Sequence, residues 1–200
     1  MKENRNGMLL VISGPSGAGK GTLVAKLLDK DPTFAFSVSV TTRARRENEI
    51  EDVHYHFIFD EEYDKLLGED AFIEHAEVHG HRYGTLKSEV YERMARGQNV
   101  LLDIDPQGAR NVMQHEKDCV SVFILPPSYD DLRARLHGRN TESEEEIERR
   151  LRNARGEIAQ KDHYQYLIIN DDLELAFDQL CAIITAEKQR SVRYFPEIAD

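Results

Sequence analysis

Residues 8–12 (MLLVI) form an apolar run that leads into the glycine-rich stretch 14–22 (GPSGAGKGT). A near-continuous apolar run of this length reads as a strand buried on both faces. Beyond the glycines, Leu23, Val24, Leu27 and Leu28 line one face of a helix. Strand, glycine loop, lysine and helix in that order describe a cradle for the phosphates of a nucleotide. Glycines let the backbone curl, so that N–H groups point inward at the positive end of a helix dipole. The expected ATP-phosphate contacts are Gly14, Pro15, Ser16, Gly17, Ala18, Gly19, Lys20, Gly21 and Thr22. Lys20 would lie along the β- and γ-phosphates. Gly21 stands where the strict pattern has a hydroxyl residue, and Thr22 follows it. The bland alternative is a chance glycine-rich turn at a strand end, which the ordered elements on either side disfavour.

Three more apolar runs, 100–104 (VLLDI), 120–125 (VSVFIL) and 166–169 (YLII), read as further buried strands. Helical patterns fall at 86–97, at 128–137, in a highly charged stretch around 143–160, and from about Asp172 to Arg193. Strands alternating with helices imply an α/β fold, a parallel sheet flanked by helices. Segment 36–90 breaks the rhythm. Phe36, Val38 and Val40 alternate with Ser37 and Ser39, the pattern of a half-buried strand, and 54–59 and 71–78 have a mixed β texture. The expected organisation is a core of 7–36 and 91–192, a small mixed or antiparallel β insertion at 37–90, and a helical lid at about 137–150. The closing stretch RYFPEIAD carries no pattern that predicts an element.

The formal net charge of -11 opposes nonspecific binding to nucleic acid or an anionic membrane, so any phosphate ligand needs arginines gathered locally. No apolar run approaches the ~20 residues of a membrane span. Cys119 and Cys181 lie far apart without metal-ligand spacing and read as inert thiols in a reducing compartment. A cytoplasmic location is the expectation.

Five stretches carry a resemblance. SVSVTTRARRENEIEDVHYHF (37–57) is similar to a guanylate kinase segment with TTR, a second arginine and an acidic, tyrosine-containing tail. FIEHAEVHGHRYGT (72–85), VLLDIDPQGA (100–109), GRNTES (138–143) and IINDD (168–172) resemble that family's base-binding, aspartate, lid and post-strand motifs. GKGT also suits a nucleoside monophosphate kinase. The resemblance runs from about Gly7 to Gln189 and implies a P-loop kinase that passes the γ-phosphoryl group of Mg·ATP to GMP, and to dGMP. The implied partners are ATP and GMP, with Mg²⁺ brought by ATP, for a monomer or homodimer that binds neither nucleic acid nor membrane.

The chemistry suits those residues. A monophosphate oxygen is already a nucleophile, so the reaction needs positioning and cations more than a general base. Arg43 and Arg46 could clamp the acceptor phosphate through forked N–H pairs, or form a solvated basic turn. The resemblance adds Tyr55 and Tyr83 on the same phosphate. It makes Glu74 the carboxylate that accepts the adjacent N1–H and amine donors of guanine, with Ser39 and Thr85 completing the base pocket. Adenine would present a lone pair to Glu74. Asp103 ends a strand in a ligand-facing place, with Asp105 two residues on, either beside it or as a helix N-cap. Thr22 and Asp103 are the candidate neighbours of Mg²⁺. Arg135, Arg139 and Arg150 surround the lid, and the resemblance implies that they close on the transferring phosphoryl group together with Lys20 and Arg43. Asn170 would meet the adenine edge or turn the chain.

Arg45, Asn48, Asp52, His54, Arg82 and Asn140 depart from the family's usual residues and bear on loop geometry. His54, His56, His75, His79 and His81 invite a metal reading, against which solvated strand and loop residues are preferred. Two other readings stand beside the first. A kinase for another monophosphate would lack the Glu74, Ser39 and Thr85 set. A guanylate-kinase-like module that binds phosphopeptides would lack the intact loop.

Overall fold

The structure is a computed structural model that describes residues 3–46, 49–78, 80–138 and 143–196. In chain order, β1 (Glu3–Arg5) and β2 (Leu9–Ser13) lead to the glycine loop, and α1 (Lys20–Lys30) leaves it. Next come β3 (Phe34–Phe36), β4 (Ser39–Thr41), β5 (Tyr55–Phe57), α2 (Asp60–Gly68), β6 (Phe72–Val78), β7 (His81–Leu86) and α3 (Lys87–Ala95). The order closes with β8 (Asn99–Asp103), α4 (Pro106–His115), β9 (Val120–Leu125), α5 (Tyr129–His137), α6 (Glu144–Ile158), β10 (Tyr166–Ile169), α7 (Leu173–Lys188) and β11 (Tyr194–Pro196).

Among the described residues the central sheet is parallel, in the order β10-β9-β2-β8-β3. All five residues of β2 are buried, as its apolar run requires. Alternate side chains of that strand feed opposite cores. Leu10 and Ile12 pack with Leu23, Val24 and Leu27 of α1 and with Phe177, Leu180 and Ile184 of α7. Leu9 and Val11 pack with Val90 of α3, Ala109 and Val112 of α4, and Phe123. The strands β8 and β9 flank β2, and the chain crosses β2 to pass from one to the other. Ligands of open α/β sheets bind at such a reversal, outside the carboxyl ends of the strands. The glycine loop sits there.

A second, mixed sheet has the order β5-β4-β7-β6, with β4 parallel to β5 and antiparallel to β7. It has its own small core, in which Val40 and Phe72 meet Tyr63 of α2. Helices α5 and α6 share a fourth core of Leu132, Leu136, Ile147, Leu151 and Ala154.

The alternating run around Phe36–Val40 is two strands rather than one. β3 closes the edge of the central sheet, with Phe36 opposite Leu101, and β4 starts the second sheet with Ser39 opposite Tyr55. The bend falls at Ser37, whose N–H donates to the Leu101 carbonyl at 3.0 Å. Helix α2 falls inside the segment expected to be β, and it sets Tyr63, with Leu66 half-buried beside it, on the core of the second sheet. Within the closing stretch, Tyr194–Pro196 forms β11, paired antiparallel with β1. Among the described residues, no helix is long and apolar enough to cross a membrane.

Candidate functional site

Three glycines of the loop, Gly14, Gly17 and Gly19, take φ of 143°, 90° and 90°, a region L side chains rarely adopt. At Gly17 there is also no room, since a Cβ would stand 2.9 Å from Leu132 Cδ1. Lys20 opens α1, and its ammonium donates to the carbonyls of Gly14 (2.7 Å) and Pro15 (3.2 Å). The lysine thus arches back over the loop. Gly21 and Thr22 are exposed on the first turn of α1.

The loop is held from behind. Asn170, after β10, is buried and donates Nδ2 to the Ala18 carbonyl at 2.8 Å. Its own carbonyl accepts from Arg135 Nη2 at 2.7 Å. Arg150 of α6 donates Nη1 to Ser16 Oγ at 2.9 Å. Arg135 and Arg150 therefore reach the loop and its support from separate helices. Arg139 and Asn140 lie outside the described residues, as do Asn48 and His79.

Facing the loop is a cavity of about 220 Å³ between the two sheets, lined by Ser39, Tyr55, Glu74, Tyr83, Asp103, Ile104 and Asp105. Glu74 of β6 pairs in register with Thr85 of β7, is 4% exposed, and accepts the Thr85 hydroxyl at 2.7 Å. Ser39 Oγ lies 3.4 Å from Thr85 Oγ1, so three polar groups form a short chain on one wall. Burial pushes the Glu74 carboxyl up to about 7, Thr85 opposes the shift, and Asp105 adds to it. Gly108 makes this carboxyl possible, since a Cβ there would stand 2.5 Å from Glu74 Oε2. On the opposite wall, burial raises the Asp103 pKa and Lys20 pulls it back.

Asp105 is the N-cap of α4, accepting from the N–H groups of Gln107 (3.0 Å) and Gly108 (3.3 Å). Of its two expected roles, the cap is the one its hydrogen bonds describe.

The mouth of the cavity is aromatic and basic. Tyr55 and Tyr83 meet edge to face at 5.9 Å, and the Arg43 guanidinium lies 5.4 Å from the Tyr55 ring centre. Arg43 holds Glu49 in a fork, Nη2 to Oε1 at 2.7 Å and Nη1 to Oε2 at 3.0 Å, which raises the arginine's pKa. Glu49 also accepts the Arg46 N–H at 2.8 Å, while the Arg46 side chain is exposed. Sequence reasoning missed Glu49; three residues past Arg46 in an acidic stretch, it looks like any solvated carboxylate.

Among the described residues, the histidines do not converge. His54 Nδ1 accepts the Ile50 N–H at 3.0 Å, and His56 pairs with Asp52 at 2.7 Å. Glu51, Asp52 and His56 are near enough to share a cation, but they sit on the surface of the second sheet, with both acids exposed. Arg82 stacks on Tyr63 at 4.0 Å and pairs with Asp64, so this departure locks α2 onto the second sheet.

A family model described as guanylate kinase matches residues 6–187. The guanylate kinase of Carboxydothermus hydrogenoformans is 49% identical over 187 residues, covering 94% of this chain and 92% of that protein. That of Rhizobium etli is 50% identical over 190 residues, covering 94% and 86%. The crystal structure of guanylate kinase from Anaplasma phagocytophilum superimposes with a TM-score of 0.79 at 36% identity, over 95% of this chain and 90% of that one. The likeness extends along nearly the whole length of these proteins, and the chain belongs to the guanylate kinase family.

Proposed function

We infer that the chain transfers the γ-phosphoryl group of ATP to GMP, giving ADP and GDP. The observation that carries this reading is the buried Glu74–Thr85–Ser39 wall, set across one cavity from Asp103 beside the loop. Guanine offers two adjacent donors that one carboxylate can accept together, whereas adenine would leave a buried acceptor facing a lone pair. Sites of that kind discriminate by roughly 10⁴ or more.

A phosphate oxygen of GMP attacks the γ-phosphorus. A P–O bond forms there while the bond to the β–γ bridging oxygen breaks, and the electron pair leaves on ADP. Arg43 and Arg46 hold the acceptor phosphate, with Tyr55 and Tyr83 beside it. Lys20 and the loop N–H groups hold the donor phosphates, and Arg135, Arg139 and Arg150 offset charge on the transferring group. Asn170 serves the ATP side by bracing Ala18. Magnesium takes hard oxygen ligands and keeps several waters. The Thr22 hydroxyl, exposed on the first turn of α1, and the Asp103 carboxylate, which feels Lys20, are oxygens of that kind, so the donor set fits a cation carried on ATP. Bound there, it would supply charge neutralisation between the two nucleotides.

We place the enzyme in the cytoplasm, in purine nucleotide metabolism, where both substrates occur. A coupled ADP-release assay with Mg·ATP and each of GMP, AMP, UMP and CMP tests the reading. Turnover with GMP alone is expected. Turnover with another monophosphate would reassign the base pocket, and none with any would leave a binding module.

A further inference from the structure

Arg82 joins the second sheet to α2, and the ring it covers is that of Tyr63, 2% exposed and without a part in the mechanism above. That ring stacks on Phe72 at 4.8 Å between centres, in the small core with Val40. Phe72 lies close against β7, where a Cβ on Gly84 would stand 2.6 Å from its ring. A phenylalanine at 63 would fill this apolar place as well. The tyrosine adds a hydroxyl, which once removed from water needs a partner. Its partner is the backbone carbonyl of Tyr83, which accepts it at 2.7 Å. Burial pushes the Tyr63 hydroxyl up to about 12, so it stays a neutral donor near pH 7.

Successive side chains of a strand point to opposite faces. On β7, Arg82 and Gly84 face Tyr63 and Phe72, while Tyr83 lines the cavity and Thr85 bonds Glu74 there. The Tyr63 hydroxyl thus holds β7 at the residue whose side chain stands at the cavity mouth. A second hydroxyl holds the residue before it. Thr41, fully buried in β4, accepts the Arg43 N–H at 3.1 Å and donates to the Arg82 carbonyl at 3.0 Å. Arg43 and Tyr83, both assigned to the acceptor phosphate, are therefore tied to neighbouring carbonyls of one strand. Thr41 belongs to the sheet itself. Tyr63 comes from the helix behind it, which Arg82 ties to β7 by pairing with Asp64 at 2.6 Å. A donor displaced by a fraction of an ångström holds a phosphate less well, so the backbone that carries it must be fixed.

We propose that Tyr63 is a positioning residue for the acceptor phosphate, its hydroxyl fixing the Tyr83 carbonyl and so the place from which the Tyr83 side chain reaches the cavity. The proposal rests on the reading of Tyr83 as a contact of that phosphate.

The test is a double-mutant cycle of Tyr63→Phe and Tyr83→Phe, read as KM for each substrate and as kcat. Tyr63→Phe keeps the ring in its stack and removes only the donor. It should raise KM for GMP about fivefold, with KM for ATP and kcat within about twofold of wild type. Tyr83→Phe should raise KM for GMP by itself. Adding Tyr63→Phe to it should raise that KM by less than about twofold more, because the backbone then positions no hydroxyl. Calorimetric affinities for GMP should follow the same order without turnover. Full additivity would mean that Tyr63 acts on the fold at large, and would overturn the proposal. No change in Tyr63→Phe, equal losses toward both substrates, or a Tyr83→Phe variant with wild-type KM would overturn it too. If wild type turns over another monophosphate in place of GMP, the same cycle with that acceptor decides the tie, and only the assigned base is lost.

Discussion

Glu74 is a carboxyl group buried between Thr85 and the first turn of α4, with its pKa pushed up to about 7 mainly by burial. In the unfolded chain it titrates near 4.5, so between those values the native state binds the extra proton. Folding stability therefore falls as pH rises through that window, and the cost is fully present above about 7. Glu74→Gln removes the cost: melting curves should show Tm raised by about 2–5 °C at pH 8 and unchanged near pH 5. No gain at pH 8 would mean that the buried acid is stabilised by something other than Thr85. At Glu49 the direction reverses. Its fork on Arg43 and its bond to the Arg46 N–H hold the arginines to which we assign the acceptor phosphate. Initial rates of Glu49→Ala should show KM for GMP raised about tenfold with kcat changed less. A lowered KM would identify Glu49 as a competitor for Arg43 instead.

Among the elements, α4 joins cap, close approach and pocket. Asp105 caps its first turn, and Asp105→Ala should cost about 1 kcal/mol in a urea melt. Gly108→Ala separates two effects. Helix propensity favours Ala by about 1 kcal/mol, yet its Cβ would stand 2.5 Å from Glu74 Oε2. The carboxylate must shift, so KM for GMP should rise far more than stability changes. The same elements show what a sequence discloses. β2, β8, β9 and β10 were legible because their apolar runs are continuous, and α1 because its loop announces it. β3 and β4 were not separable, since FAFSVSV alternates without a break and the change of sheet at Ser37 is a backbone event. α2 was hidden because it interrupts a stretch of short strands, between β5 and β6. Site residues reached through motif resemblance, such as Glu74, Thr85 and Ser39, do share one wall. Glu49 escaped notice, because a glutamate among glutamates shows its partner only in three dimensions.

At the scale of the molecule, two sheets and a helical arm meet around one crevice. The cavity is lined from both sheets, by Ser39, Tyr55, Glu74 and Tyr83 on one side and 103–105 on the other, while Arg150 bonds the loop and Arg135 its support. Phosphoryl transfer must exclude water, and an open crevice favours hydrolysis of ATP, so the second sheet and lid should close on the core when both nucleotides bind. Small-angle scattering should show a smaller radius of gyration with GMP plus a non-hydrolysable ATP analogue than with neither. Identical profiles would argue for a preformed site. We assign base choice to Glu74 and transfer to the loop. The ratio of kcat/KM for GMP to that for AMP, measured in wild type and in Glu74→Ala, tests this assignment. The ratio should fall by at least about a hundredfold, almost wholly through loss on GMP. An unchanged ratio would place base choice elsewhere.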